Sequence, residues 1–188
     1  MLNLIDFSIL DFIQANIKNP VLDQIIPFIT SLGNGGVIWI IVAIIFLITR
    51  RYRPYGIMLG AVLLLGVIAG DVILKPLIGR VRPCNVNTAV ELLIERPMSF
   101  SFPSGHTMSS FGAAAVIWAA DRRFGISALI LAVLIAFSRL YLYVHYPSDI
   151  AGGIVFGLAV AMGVIALFKQ LPWWKRRNIS VAQGDQEG

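Results

Sequence analysis

Residues 126–149 read ISALILAVLIAFSRLYLYVHYPSD. The apolar run at 126–144 has the length of a membrane helix, which needs about 20 residues to cross the hydrocarbon core. Arg139 lies inside this run, and His145 and Asp149 follow it. Ionisable groups are costly in lipid and are retained there mainly for function. The stretch therefore predicts a membrane helix with chemically active residues at one end.

The composition of the whole chain supports a membrane protein. Of its 188 residues, 57% are hydrophobic and 13% are charged, whereas a soluble domain carries about 25% charged residues. Runs of 15 or 16 residues can also span a bilayer if the helix tilts. We therefore expect an all-α integral membrane bundle of five to six transmembrane helices. The apolar runs lie at residues 34–49, 55–74, 105–120, 126–144 and 150–168.

Residues 1–31 precede these runs and show an amphipathic pattern. Apolar positions are interspersed with polar ones, including Asp6 and Asp11. This pattern favours an amphipathic N-terminal helix in the membrane interface over a sixth span. Residues 21–29 predict a second short helix, interrupted by Pro27. The absence of a basic n-region argues against a cleavable signal peptide.

The net charge of +5 is concentrated in basic clusters beside apolar runs. Clusters at 50–53, 122–123 and 175–177 are typical of cytoplasmic loops under the positive-inside rule, and they argue against nucleic acid as a partner. With five spans, the N-terminus and the segments 75–104 and 144–149 then face outside. The charges in these two segments depart from the rule, which indicates a different purpose. We expect a multi-pass cell-membrane protein with an extracytoplasmic site.

The chain is expected to form one membrane domain at residues 1–177, followed by a disordered polar tail at 178–188. Glycines four residues apart, such as Gly153 and Gly157, allow helices to approach closely. Packing within one bundle is favoured over a homodimer seam, and both alternatives stay open. Cys84 is the only cysteine, so an internal disulfide is excluded.

His145 and Asp149 are candidates for a nucleophile and its partner. A carboxylate that accepts a hydrogen bond from one imidazole nitrogen fixes the tautomer and leaves the other nitrogen free as a nucleophile or base. Four-residue spacing brings the two side chains to one face of a helix, although Pro147 makes a turn equally compatible. Taken alone, the pair is also compatible with an interfacial ion pair.

Ser104, Gly105 and His106 begin the run at 105–120. Ser104 is a candidate helix cap, and the free N–H groups of a helix start form an anion site that glycine leaves open to phosphate. Both histidines of the chain are then predicted on the same side of the membrane. This common location favours a chemical role over a structural one for each.

Three cations on that side predict an anionic ligand. Arginine binds phosphate oxygens in bidentate fashion, and lysine acts as a point charge. Lys75 and Arg82 lie at a span end, where snorkelling to the interface is the structural alternative. That alternative is weaker for Arg139, inside an apolar run. Asp71, four residues before Lys75, is expected to contact it.

These residues together resemble the three-part signature of the type 2 phosphatidic acid phosphatase, or lipid phosphate phosphatase, superfamily. The signature covers about 75 residues, and all three parts are complete and in order. Membrane members of this family usually have six spans, whereas five spans and an amphipathic N-terminus are expected for this chain. The three parts are Lys75 with Arg82-Pro83, then Pro103-Ser104-Gly105-His106, and then Ser138-Arg139 with His145 and Asp149.

The resemblance implies a role for each residue. His145 would attack phosphorus and form a phosphohistidine, with Asp149 orienting and stabilising it. His106 would protonate the leaving oxygen and then activate water. The phosphate oxygens would be bound by Lys75, Arg82, Ser104, Gly105 and Arg139. The family design is metal-free, and the sequence offers no further cluster of carboxylates or histidines for a metal, so we expect neither metal nor cofactor.

The implied substrate is a membrane lipid phosphate or pyrophosphate. Undecaprenyl pyrophosphate is favoured because an external site suits recycling of that carrier; phosphatidylglycerol phosphate is the alternative, followed by phosphatidate and diacylglycerol pyrophosphate. Residues 85–102 are expected to form a lid over the site. A rival from another class is a non-catalytic lipid-binding or transport protein, which would need charges distributed through its spans. Soluble acid phosphatases and vanadium haloperoxidases are relatives that the apolar spans disfavour.

Overall fold

The computed structural model describes residues 2–172 of the chain, and this part is helical without strands. A 3-10 turn at Asn34–Gly36 precedes α3, and a π-helical stretch at Ile68–Leu74 joins α4 to α5. The α-helices of this described part are α1 (Leu2–Asn16), α2 (Pro20–Leu32), α3 (Val37–Ile48), α4 (Arg53–Val67), α5 (Lys75–Ile78), α6 (Pro83–Val86), α7 (Gly105–Ala120), α8 (Arg122–Tyr141) and α9 (Pro147–Gln170).

Helix α7 lies at the centre of the bundle, packed against α4, α8 and α9. Its small residues make this packing close. A Cβ on Gly112 would lie 2.8 Å from Val62 Cγ1 of α4 and 3.2 Å from the Gly157 carbonyl oxygen of α9. Close helix contact therefore determines how the start of α7 lies relative to the start of α9. Both starts carry predicted site residues.

Three helical stretches in the described part are long and apolar enough to cross a membrane: Arg53–Val86, Arg122–Tyr141 and Pro147–Gln170. Helix α2 and the stretch Asn34–Ile48 qualify only as a pair bent by 46°, which raises the number to four if the pair is one span. Helix α7 has 16 residues, too few to qualify. A multi-helix membrane bundle is therefore confirmed, and the expected five to six spans are not.

The N-terminal region forms two helices that pack on the protein. Helix α2 continues through Pro27 to Leu32, so the predicted interruption is wrong; the proline, in the middle of the helix, removes one backbone hydrogen bond without ending it. In α1, Asp6 is buried, whereas Leu4 and Phe12 are more than half exposed. The side of this helix that faces the protein therefore combines Asp6 with the apolar Leu10 and Ile13, and further apolar side chains point outward.

The helix connections lie at two opposite ends of the bundle. At one end, Tyr52 lies with its hydroxyl 3.5 Å from Asp121 Oδ2 and its ring beside Phe124. The basic clusters at 50–53 and 122–123 therefore share that end. The other end contains α5, α6 and the starts of α7 and α9. The predicted tail at 178–188 lies outside the described residues, so the single domain at 1–177 stays a prediction.

Candidate active site

A cavity of about 270 Å³ opens at the end of the bundle opposite the basic clusters. Ser104 and Asp149 lie behind its wall and are fully buried. Glycines of the turn before α3 and apolar side chains of α4, such as Leu63 and Val67, complete the lining. The predicted site residues that line the cavity are Lys75, Arg82, Gly105, His106, Arg139 and His145.

His145 lies in the turn between α8 and α9, and 1% of its surface is exposed. The chain leaves α8 through Tyr143, which has a positive φ of 58°, and Pro147 starts α9. His145 Nε2 lies 3.0 Å from Arg82 Nη1, and Nδ1 lies 3.4 Å from Asp149 Oδ2. Because a guanidinium can only donate, Nε2 is an acceptor here, and the ring proton belongs on Nδ1.

The imidazole of His145 is neutral at physiological pH. Burial lowers its pKa to about 3, although the hydrogen bond to Asp149 acts in the opposite direction. A neutral ring carries a lone pair on Nε2, which is the requirement for a nitrogen nucleophile, and the hydrogen bond from Arg82 must give way before this lone pair can attack. No deprotonation step is then needed before attack on an electrophile in the cavity.

Asp149 is fixed by several donors besides His145. The Tyr146 backbone N–H donates to Oδ2 at 2.9 Å, and the Ser101 hydroxyl donates to the same oxygen. Arg80 Nη1 donates to Oδ1 at 2.6 Å. The carboxylate therefore has one orientation, in which Oδ2 faces the imidazole. The contact between Asp149 and His145 is therefore present, and the orienting role expected for Asp149 stays a prediction.

His106 lies in the first turn of α7 and lines the cavity. Its Nε2 donates to Asn34 Oδ1 at 2.9 Å, since an amide oxygen can only accept. Gly33 is required beside it, because a Cβ there would lie 2.7 Å from His106 Cδ2. The 3-10 turn before α3 thus positions the second histidine.

Lys75 and Arg82 have partners in the protein. Lys75 Nζ lies 2.5 Å from Asp71 Oδ1, so the expected contact between these two residues is confirmed. Arg82 donates to the carbonyl oxygens of Ser99 at 2.7 Å and Val144 at 2.9 Å, which orient its guanidinium beside His145. The Ser99 contact also fixes the predicted lid segment at 85–102 to the site.

Arg139 is buried with fewer hydrogen-bond partners than its guanidinium has donors. Its Nη1 donates to Thr30 Oγ1 at 2.6 Å, whereas Nε has no hydrogen-bond partner. Only 3% of the Arg139 surface is exposed. An unpaired buried donor on a cation is costly and calls for an explanation. Arg139 also lines the cavity, so this donor lies at the site where the sequence predicts an anionic ligand.

Ser104 acts as the N-cap of α7. Its Oγ accepts from the Thr107 hydroxyl at 3.0 Å and from the Thr107 backbone N–H at 3.4 Å, which confirms the expected cap. Its own N–H donates to the Asp149 carbonyl oxygen at 3.2 Å. Its side chain does not line the cavity, whereas Gly105 does. A Cβ on Gly105 would lie 3.5 Å from Asp71 Oδ1 and 3.9 Å from Lys75 Nζ, both ordinary van der Waals distances.

Several residues of the site are not identifiable from the sequence. The sequence marks Arg80 only as a charge on the outer side and Asp6 only as part of an amphipathic pattern, and nothing in it singles out Asn34 or Ser101. Arg80, Ser101 and Asn34 each contact a predicted site residue across a long sequence separation, 72 residues for Asn34 and His106, so no local spacing connects them. Asp6 contacts Arg80, 74 residues away. The one available signal is the charge of Arg80 close to Arg82.

Known proteins are similar to this chain in sequence and in fold. The model of the PAP2 superfamily matches residues 54–173. An undecaprenyl-diphosphatase of Sulfolobus acidocaldarius is 33% identical over 137 residues, which are 72% of this chain and 66% of that protein. A lipid A 4'-phosphatase of Bacteroides thetaiotaomicron is 36% identical over 91 residues, which are 45% of this chain and 40% of that protein. The match thus spans less than two thirds of either relative.

A solved structure has the same architecture. A transmembrane PAP2-type phosphatidylglycerolphosphate phosphatase from Bacillus subtilis superposes with a TM-score of 0.73 at 26% identity. The superposition covers 90% of this chain and 88% of that one. The family match includes every predicted site residue from Lys75 to Asp149. This chain belongs to the PAP2 superfamily.

Proposed function

We propose that the protein is a membrane lipid phosphatase that hydrolyses a phosphate monoester or pyrophosphate through a phosphohistidine on His145. One observation carries the proposal. The unprotonated Nε2 of His145 belongs to a cavity lining that includes Lys75, Arg82, Arg139 and His106, with Asp71 as the carboxylate partner of Lys75. A neutral nucleophile among cations fits a phosphoryl group, whose negative oxygens need those cations.

In the first step, His145 Nε2 attacks phosphorus and the bond from phosphorus to the leaving oxygen breaks. His106 acts as the general acid in its imidazolium form, gives one ring proton to that oxygen and becomes neutral. In the second step, water attacks phosphorus, His106 takes its proton, and the bond from phosphorus to nitrogen breaks. The products are inorganic phosphate and the dephosphorylated lipid. Asp149 Oδ2 stabilises the positive charge that develops on His145.

The cations stabilise the charge that develops on the phosphoryl oxygens. Arg139 Nε, which has no partner in the free protein, gains one when phosphate binds. Lys75 pairs with Asp71, and its ammonium group contributes a positive point charge to the phosphate site. Arg82 lies beside the nucleophile, so its Nη1 can turn from His145 Nε2 to an equatorial oxygen as the attack begins. The Gly105 N–H at the start of α7 adds a further donor, next to the capping Ser104.

We propose a five-span topology with the site on the extracytoplasmic side. The bent pair of α2 and α3 would be one span, α4 to α6 the second, and α7, α8 and α9 the remaining three. The shared location of two basic clusters at the other end supports this orientation. The apolar cavity walls Leu63 and Val67 support an amphiphilic substrate that reaches the site from the bilayer.

Undecaprenyl pyrophosphate is the substrate we propose first. This chain, over 72% of its own length, is similar to a protein named undecaprenyl-diphosphatase, which supports this choice. The proposed extracytoplasmic location of the site supports it too. Phosphatidylglycerol phosphate is the second candidate, because the superposed solved structure is that of a phosphatidylglycerolphosphate phosphatase. Phosphatidate and diacylglycerol pyrophosphate complete the proposed range. No observation favours a homodimer over a single bundle, so the monomer is the simpler proposal.

The test is a side-by-side assay of phosphate release from undecaprenyl pyrophosphate, phosphatidylglycerol phosphate and phosphatidate. Purified protein in EDTA is compared with His145→Ala and with Met98→Ala, a control at a position that is 97% exposed. We expect His145→Ala to lose at least about a thousandfold in kcat and Met98→Ala to match the wild type. Wild-type protein that binds these lipids without releasing phosphate would instead support the non-catalytic alternative.

A preference below about tenfold among the three lipids would indicate a generalist, since tenfold corresponds to about 1.4 kcal/mol in the activation barrier. A larger kcat/KM for undecaprenyl pyrophosphate would support the first choice. A larger value for phosphatidylglycerol phosphate would replace it with the second.

A further inference from the structure

Asp6 is a buried carboxylate on α1, far in sequence from every other residue of the site. Only 3% of its surface is exposed. Its Oδ1 accepts from the Ser148 backbone N–H at 3.0 Å, and its Oδ2 accepts from the Ser148 hydroxyl at 2.5 Å. Asp6 therefore caps the first turn of α9, the helix on which Asp149 lies. A carboxylate at a helix N-terminus is favourably placed with respect to the helix dipole.

Arg80 joins this carboxylate to Asp149. Its Nη2 lies 2.7 Å from Asp6 Oδ2, and its Nη1 lies 2.6 Å from Asp149 Oδ1. Nη1 also donates to the Ser148 hydroxyl at 2.7 Å. The guanidinium lies over the ring of Tyr146, 4.0 Å from its centroid. Two carboxylates thus share one guanidinium of fixed orientation directly behind the proposed nucleophile.

The summed charge of Asp6, Arg80 and Asp149 acts on His145. With Arg80 alone, the negative charge of Asp149 would be neutralised by a close cation. Asp6 supplies a second negative charge to the same guanidinium, so the group of three keeps a net negative charge. That charge faces His145 through Asp149 Oδ2, where the imidazole becomes positive during phosphoryl transfer. In a buried site, such a charge acts with little screening.

We propose that Asp6 is a positioning residue of the catalytic pair, acting on Asp149 and His145 through Arg80, so that α1 is part of the active site. The inference rests on the proposed function, because it assumes that His145 is the nucleophile. It goes beyond the family match, which begins at residue 54 and leaves out α1. Asp6 itself does not line the cavity.

The experiment compares Asp6→Asn with Asp11→Asn in full-length protein. Asp11 is a matched control, because it lies on the same helix and its Oδ1 accepts from the Tyr143 hydroxyl at 2.8 Å, without contacting Asp149. We expect Asp6→Asn to lower kcat by about tenfold to a hundredfold with KM within about twofold of wild type, since substrate contacts stay intact. We expect Asp11→Asn to keep kcat within about twofold.

Two results would overturn the inference: kcat of Asp6→Asn close to wild type, or equal losses in both variants, which would indicate a purely structural role. If Asp6→Asn does not fold, Ser148→Ala replaces it, because that variant keeps all three charges. Loss of the Ser148 hydroxyl, which bridges Asp6 and Arg80, is expected to lower kcat about fivefold. An unchanged kcat of Ser148→Ala would also overturn the inference. Wild type and His145→Ala are assayed alongside, and failure of wild type to release phosphate would defeat the proposed function instead.

Discussion

At the scale of single residues, Arg139 bears most directly on the proposed phosphate site. It lies in the last turn of an apolar helix, it is 3% exposed, and its Nε has no partner among the described residues. A fold selected for stability alone would place an apolar side chain there, because replacing a buried charge by a hydrophobic residue is often stabilising. A phosphate that accepts a hydrogen bond from Arg139 Nε would explain why an arginine occupies this position.

We predict that Arg139→Met raises stability while it removes activity. The melting temperature in detergent should stay the same or increase, with a gain of about 1 kcal/mol or more in unfolding free energy, because a desolvated charge is removed. The value of kcat/KM should fall by about a hundredfold to a thousandfold, as when one donor to a transition-state oxyanion is lost. Thermal melting and phosphate release on the same preparation measure both effects.

Arg123→Met is the control, since Arg123 is exposed in the basic cluster at the other end of the bundle. It should change neither quantity appreciably. An Arg139→Met protein that melts several degrees lower, with activity retained, would show that Arg139 serves the fold and not the site.

Many residues of the site were predictable because their chemistry is marked locally. Histidine or arginine beside an apolar run is costly in lipid, so its presence in the sequence is by itself an indication of function. Asp6 and Asn34 were not predictable in this way. Asp6 reaches Arg80 across 74 residues, and a buried aspartate on α1 looks the same in sequence as one on the solvated face of an amphipathic helix.

At the scale of elements, the contact between α7 and α9 determines how the two histidines face each other. A Cβ on Gly153 would lie 2.8 Å from the Ser104 carbonyl oxygen, and one on Gly157 would overlap the carbonyl oxygen of Met108. The backbones of these two helices therefore touch at the level of the site. Any separation of the helices would move His106 away from His145.

We predict that Gly157→Ala lowers stability by about 1–3 kcal/mol and lowers kcat as well, because the added methyl group forces α9 away from α7. Gly163→Ala on the same helix is the matched control, since a Cβ there meets nothing within 4 Å. That variant should be as stable as wild type or more so, because alanine favours the helix. Equal melting temperatures for the two variants would contradict this view of the α7–α9 contact.

The sequence predicted the existence of the main helices better than their ends. The run at 126–144 corresponds to Arg122–Tyr141, because the last residues, 142–144, turn away to bring His145 to the site. The run at 55–74 includes a π-helical stretch, Ile68–Leu74, that hydrophobic periodicity does not distinguish from an α-helix. The apolar pattern of the sequence predicts neither the turn at 142–144 nor the π-helical stretch, since both lie where polar residues are positioned at the end of the bundle.

At the scale of the whole molecule, the bundle has a chemically active end and a basic end. We predict that these ends lie on opposite sides of the membrane. In a Cys84→Ser background, Met98→Cys should react with an impermeant maleimide from outside intact cells, and Arg123→Cys should react only after the membrane is opened. Both positions are exposed. Labelling of both from the same face would contradict the five-span topology.

The number of spans is what the sequence determined least well. Apolar runs gave five, whereas helix length and composition support three, or four with the bent pair of α2 and α3. The difference comes chiefly from α7, which has 16 residues and is surrounded by other helices. A helix shielded by protein needs neither the length nor the uniform apolarity of one exposed to lipid, so hydropathy is a poor guide to it.

The central claim is that His145 is phosphorylated during turnover. The most direct measurement is rapid alkaline quenching of wild-type protein with substrate labelled in its terminal phosphate, followed by peptide mapping. Phosphohistidine survives alkali and is lost in acid, so we predict alkali-stable label on the peptide that contains His145, and none in His145→Gln. Full phosphate release by His145→Gln, or label on a different residue of the wild type, would contradict the account.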